Sequence, residues 1–157
     1  MTLPLFLTLS ACKGPAPLSG PPPVSDQTDM LLQAVTTEQN LIWIYDKAAA
    51  AHPRLAPMLA ALLAEHEAHL AQLRDRVIEP PGKHVPAAVT AWAGGRKPKV
   101  GTTQVAALTQ LRAAEQAAIT ALLTRLGGAS PSLAQLYASI AASEATHVTA
   151  LTHQIGP

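Results

Sequence analysis

The chain has one cysteine, one phenylalanine, two tyrosines and two tryptophans in 157 residues, and charged residues make up only 13% of it. A single cysteine excludes an internal disulfide and any metal site built from several thiolates. Lys and Arg number 11 against 10 Asp and Glu, for a formal charge of +1. Without a basic cluster able to neutralise a run of phosphates, nucleic acid is not an expected partner. Val, Ile and aromatic residues, the usual material of strands, are few. No apolar run reaches the roughly 20 residues that a membrane-spanning helix needs. There is also no glycine-rich phosphate loop and no Ser/His/Asp order. Ala and Leu are abundant, both strong helix formers, in a chain that is 48% hydrophobic. The expectation is an all-α protein with one core and one folded domain.

Four stretches show helical periodicity, near residues 28–51, 55–78, 102–126 and 132–154. His52-Pro53 separates the first two, and the run Gly127-Gly128-Ala129-Ser130-Pro131 separates the last two. Such short breaks make each pair an antiparallel hairpin. Between the pairs lies a long connector over 79–101, "EPPGKHVPAAVTAWAGGRKPKVG". A helix of about 24 residues is about 36 Å long, and an extended connector of this size covers that length at roughly 3.3 Å per residue. The expected architecture is a four-helix bundle over 28–155, two hairpins joined by one crossover.

Steps of three and four place Leu31, Ala34, Val35, Glu38, Leu41, Ile42 and Tyr45 on one face of the first helix. The second gives Leu59, Leu62, His66, His69, Leu73 and Val77. The third gives Val105, Leu108, Leu111, Glu115, Ile119, Leu122 and Leu126, and the fourth gives Leu133, Tyr137, Ile140, Glu144, His147 and Leu151. Each apolar stripe is broken near its middle by Glu or His. An internal repeat supports the pairing: "TEQNLI" at 37–42 matches "AEQAAI" at 114–119, and "HEAH" at 66–69 stands where "EATH" stands at 144–147. Glu38 to His69 spans 31 residues and Glu115 to His147 spans 32. In hairpins of nearly equal length, Glu38 therefore meets the 66/69 pair at the depth where Glu115 meets the 144/147 pair.

An uncompensated carboxylate in an apolar core costs several kcal/mol and takes up a proton instead. A cation held by oxygen and imidazole ligands compensates it directly, and Glu with His but no thiolate suits Fe, Mn or Zn better than Cu(I). The alternative is a metal-free network of Glu–His hydrogen bonds. On the second helix Glu65, His66 and Glu67 are consecutive, so they cannot all face inward and at least one is a bystander. Tyr45 and Tyr137 lie two turns from Glu38 and Glu144; they read as core filler, with hydrogen bonding to the polar groups as the second option. His52, His84 and His153 read as solvated, and Trp43 and Trp92 as packing residues at bundle edges.

These residues resemble the ferritin-like di-metal carboxylate superfamily, in which two helices each give one Glu and two give Glu-x-x-His. Through "LLQAVTTEQNLIWIY" and "LAALLAEHEAHLAQL" the chain is most similar to small ferritin-like domains of the DUF4439 type. The resemblance implies metal ligands at Glu38, Glu115, Glu144 and His147. The second helix departs from the motif with His66-x-x-His69, for which Glu65 with His69 is the nearest substitute. The expected ligand set is thus Glu38, Glu65, His66, His69, Glu115, Glu144 and His147, holding Fe or Mn, with Zn as an alternative.

At the N-terminus, Leu9-Ser10-Ala11-Cys12 after the apolar run from Leu3 resembles the lipobox of a bacterial lipoprotein signal peptide, though without the usual basic start. That resemblance implies a signal segment over 1–11, a lipid on Cys12 and a membrane-anchored, extracytoplasmic protein. The Pro-rich stretch over 12–27 then acts as a tether. Two functions follow as expectations: a membrane-tethered metal protein with O₂ or peroxide chemistry, or a non-enzymatic envelope lipoprotein that binds a protein partner. A homodimer is compatible with either.

Overall fold

The computed structural model describes residues 24–77 and 97–156. Cys12, His84, Trp92 and most of the connector lie outside the described residues. The described residues form four α-helices and no strand: α1 (Val24–Ala51), α2 (Ala56–Arg74), α3 (Gln104–Arg125) and α4 (Pro131–Ile155), with a short 3₁₀ turn, Leu126–Gly128, between the last two.

Local chemistry explains the ends. α1 begins directly after the Pro21-Pro22-Pro23 run, four residues earlier than the periodicity predicts, and stops ahead of Pro53, which lacks the N–H to continue it. Proline also sits in the first turns of α2 and α4, where a missing N–H does no harm. Thr103 caps α3, its hydroxyl oxygen accepting the Ala106 N–H at 3.1 Å. α2 is shorter than its apolar pattern suggests. It ends at Arg74, yet Val77 still packs on the core from the turn that follows, so the stripe outruns the helix.

Contacts at the two ends of the bundle set its topology. The His52 Nε2–H donates to the Gly101 carbonyl at 2.8 Å, placing the start of α3 beside the α1–α2 loop. His52 is thus tied into the structure rather than solvated. At the opposite end the Ser130 N–H donates to Gln27 Oε1 at 3.2 Å, and Arg76 reaches the Ser132 carbonyl. Helices α1 and α4 therefore run one way, α2 and α3 the other. Arg76 and Gly101 thus stand at opposite ends, so α3 begins at the end far from the close of α2. Gly101 backs directly onto the first turn of α3: an added Cβ would lie 2.6 Å from the Ala106 carbonyl carbon.

The core is split in two. One apolar cluster, toward the start of α1, includes Leu31, Val35, Leu73, Leu122, Tyr137 and Ile140. The other, toward His52, includes Leu41, Tyr45, Leu59, Leu108, Leu111 and Leu151. The predicted inward faces of α1 and α4 are buried throughout. On α3 the face is rotated slightly: Val105 is 54% exposed, while Ala107 and Ala118 are buried. Substituting Leu111 by Ala opens a cavity in the second cluster and is expected to destabilise the fold by about 2–5 kcal/mol in denaturant unfolding. Leu123→Ala, on the exposed side of the same helix, is expected to stay within about 0.5 kcal/mol of the parent.

Candidate metal centre

Between the two apolar clusters lies a polar layer to which every helix contributes. Glu38 comes from α1, His66 and His69 from α2, Glu115 from α3, and Glu144 and His147 from α4, all six buried. The step of three residues on α2 and α4 puts both side chains of each pair on the inward face, one turn apart. Six of the seven expected ligands thus converge.

His66 is at the centre. Its Nδ1 lies 3.0 Å from Glu38 Oε2 and its Nε2 lies 2.9 Å from Glu115 Oε1, so the ring spans two carboxylates on different helices. The ring centroids of Tyr45 and His147 each lie 4.9 Å from that of His66. His69 Nδ1 stands 3.6 Å from Glu38 Oε1, and His147 Nδ1 stands 3.4 Å from Glu115 Oε1. The atoms fall into two groups that share His66. Glu38, His66, His69 and Glu144 form one, and His66, Glu115 and His147 the other, with ligand atoms within 4.8 Å of one another in each. The partition differs from the one expected from the hairpins, because Glu144 faces Glu38 and the α2 histidines instead of staying with Glu115.

Glu65 stays outside this layer. One step before His66 on a helix that turns by about 100° per residue, it points to the surface, and its side chain is 53% exposed. Its Oε2 accepts the His147 Nε2–H at 3.0 Å and the Ser143 hydroxyl at 2.9 Å. Glu65 therefore fixes the His147 tautomer with the proton on Nε2 and leaves Nδ1 aimed inward, the usual support for a metal-ligating histidine. Glu67 is exposed and is the bystander. Tyr45, read from sequence as core filler, donates its hydroxyl to Glu115 Oε1 in a short hydrogen bond. The Tyr137 hydroxyl, although buried, has no partner. Ser143 was not anticipated; its place one residue before Glu144 is the only sequence signal for it.

Protons balance the charges in the metal-free layer. Burial opposes ionisation of Glu38 and Glu115, but the histidines around them prevail. His66 and His69 hold Glu38 below the usual carboxylate range. His147, His66 and the Tyr45 hydroxyl hold Glu115 at about 2. Burial works against a charged His66 too, yet the two carboxylates facing it raise it to about 10. Glu115 and Glu65 likewise raise His147 above its ordinary value despite burial. Glu144 goes the other way: burial, together with the charges of Glu38 and Glu115, pushes it up to about 9.

The arrangement suits a cation. Five ligand-type atoms in the layer have no hydrogen-bond partner: His69 Nδ1, Glu115 Oε2, both Glu144 oxygens and His147 Nδ1. Natural folds leave few such groups buried, and each one calls for an explanation. With metal–ligand bonds of about 2.1 Å, neighbouring ligands on an ion stand about 3.0 to 3.4 Å apart, close to the four N···O separations in this layer. The buried Glu and His groups can thus hold a metal ion. No protein-family model, curated protein or solved structure matches the chain.

In the metal-free protein the raised pKa values set the pH dependence. Between 4.5 and about 9 the folded chain keeps a proton on Glu144 that the unfolded chain has lost, so stability falls as pH rises through that window. The contribution of His66 is complete below 6.5 and is lost as pH rises through about 10. The contribution of Glu115 is complete above 4.5 and is lost as pH falls through about 2. The melting temperature of the chelator-treated protein is therefore expected to drop steadily from about pH 5 to about pH 9. Glu144→Gln should flatten the slope and raise stability at the alkaline end. An unchanged slope in that variant would contradict the protonated Glu144.

Proposed function

We propose that this chain is a membrane-tethered ferritin-like protein that holds one or two metal ions, Fe or Mn, in the layer between its two apolar clusters. The observation that carries the reading is the set of buried carboxylate and imidazole atoms without a hydrogen bond contributed by α2, α3 and α4, which lie in two groups, each close enough to share an ion. Hydrogen bonds alone account for His66, Glu38 and one oxygen of Glu115, but Glu144 has none when ionised and is otherwise left to share a proton with Glu38. An ion supplies what Glu144 lacks. Oxygen and nitrogen donors without sulfur favour Fe, Mn or Zn, and the direction of the helices, with one crossover, is the connectivity of the ferritin-like bundle.

The residues divide the work. Glu38, His66, His69, Glu115, Glu144 and His147 would hold the metal. Glu65 orients His147 from outside. Tyr45 donates a hydrogen bond to Glu115, steadying one oxygen and leaving the other for a ligand role. The apolar clusters on either side keep water from the layer, which strengthens each electrostatic contact inside it. Bound Fe or Mn would supply redox chemistry toward O₂ or peroxide. The tether belongs to the same proposal: a lipid on Cys12 would hold the bundle at the outer face of a membrane. Among the described residues no helix is long and apolar enough to cross a membrane, so an anchor would have to come from elsewhere in the chain.

Elemental analysis of the purified full chain tests the reading. The parent is expected to carry stoichiometric Fe or Mn after loading, and the double variant Glu144→Ala with His147→Ala to carry none. A folded parent that stays metal-free after loading with Fe(II) and Mn(II) would leave only the hydrogen-bonded network. Glu65→Ala keeps all six inward ligands but removes the support of His147; metal affinity is expected to fall by about 10- to 100-fold, measured by competition with a chromophoric chelator.

A further inference from the structure

Most histidine ligands give one ring nitrogen to a metal and spend the other on a carboxylate or carbonyl outside the site. His147 follows that pattern, with Glu65 on its Nε2. His66 does not. Both of its nitrogens face into the layer, Nδ1 toward Glu38 and Nε2 toward Glu115, and it is the one residue common to the two candidate ligand groups. Its side chain is wholly buried, and the Tyr45 and His147 rings packed against it keep it from turning either nitrogen outward.

We propose that His66 bridges two metal ions, Nδ1 serving one together with Glu38, His69 and Glu144, and Nε2 serving a second together with Glu115 and His147. This inference rests on the metal-holding function proposed above and specifies how the two ions would be arranged. Binding on both sides displaces both ring protons to solvent and leaves an imidazolate. The charges then close: three carboxylates and one imidazolate carry −4, matched by two divalent ions. The two sites differ. The first has four protein donors, as a closed site does, while the second has three and keeps a position free for water or substrate. Tyr45, hydrogen-bonded to Glu115, stands on the side of the second.

A histidine bridge is distinguishable from a carboxylate bridge by distance. Two metal–nitrogen bonds of about 2.0–2.1 Å on opposite sides of one ring put the ions about 6 Å apart, whereas paired metals in familiar two-metal sites stand about 3.5–4 Å apart. The test uses the full chain loaded with Co(II) alone, with bound cobalt counted after dialysis and located by anomalous diffraction. Two cobalt ions per chain, about 6 Å apart with the His66 ring between them, are expected. His66→Gln, checked for helical content by circular dichroism, should bind one cobalt. His66→Glu should bind two at about 3.5–4 Å.

A parent with one cobalt per chain, or with two ions at the shorter distance, overturns the bridge and leaves the metal-holding function standing. So does a folded His66→Gln that still binds two. A folded parent that takes up no cobalt, iron or manganese overturns both. The cobalt count and distance in the parent decide the matter even where neither variant folds.

Discussion

The layer at mid-height of the bundle depends on the balance struck around His66. Two carboxylates from different helices are buried within hydrogen-bond distance of opposite edges of one imidazole. Removing either partner would leave a buried charge uncompensated, an effect worth several kcal/mol. The arrangement is not the most stable filling of that space. Well-packed apolar side chains of similar volume are often as good as a buried ion pair or better, and buried apolar residues such as Leu41, Leu70, Leu111 and Ile140 stand about one turn away on each helix. Polar groups from all four helices at a single level, with apolar clusters on both sides, mark a place where the fold accommodates something other than its own stability.

Topology brings that layer together. The short breaks after α1 and α3 bring Glu38 to the α2 histidines and Glu115 to His147. The contacts across the hairpins depend on where α3 begins, because only with α3 starting beside His52 do α2 and α3 run the same way and present His66 and Glu115 at one depth. His52 and Gly101 hold that end. Their hydrogen bond ties the α1–α2 loop to the segment entering α3, and the close approach of Gly101 to the first turn of α3 leaves no room for a side chain. The two apolar clusters close the layer above and below. Between α2 and α4 the boundary is polar, carried by Glu65, Ser143 and His147, and Glu65 places it in contact with solvent.

Much of this was legible from periodicity, and what was not legible depended on angles that a linear pattern does not contain. The stripes of α1 and α4 named their buried residues, including Glu38, Glu144 and His147, because those helices alternate cleanly between apolar and polar faces. On α2 the stripe already places His66 and His69 inward, and that register turns Glu65 out; Glu65 entered the ligand set only through the motif resemblance, and it becomes a support for His147 instead of a ligand. The end of α2 was overestimated because Val77 remains in step with the stripe and packs from a turn. His52 looked like an ordinary loop residue because its partner, Gly101, is 49 residues away. The regrouping of Glu144 with Glu38 and the α2 histidines had no local signal either, since it follows from how α4 sits against α1 and α2. Tyr45 carried a partial signal in its spacing two turns from Glu38, but its hydrogen bond reaches across to α3.

The internal repeat gives the histidine at 66 its meaning. In the ferritin-like arrangement proposed for this chain, each half would supply one single Glu and one Glu-x-x-His, four carboxylates in all. The second half here keeps that set as Glu115, Glu144 and His147, while the first keeps Glu38 and His69 and has His66 in place of the remaining Glu. A neutral histidine there would leave the layer one negative charge short of what two divalent ions need. A protonated one, favoured without metal, leaves it two short; in the metal-free layer it stands between Glu38 and Glu115 while burial and those two charges keep the proton on Glu144. Only the doubly deprotonated ring restores the charge, and it can do so only with a cation at each nitrogen. Passage from the metal-free layer to the proposed two-ion state would require His66 to give up both ring protons and Glu144 its one.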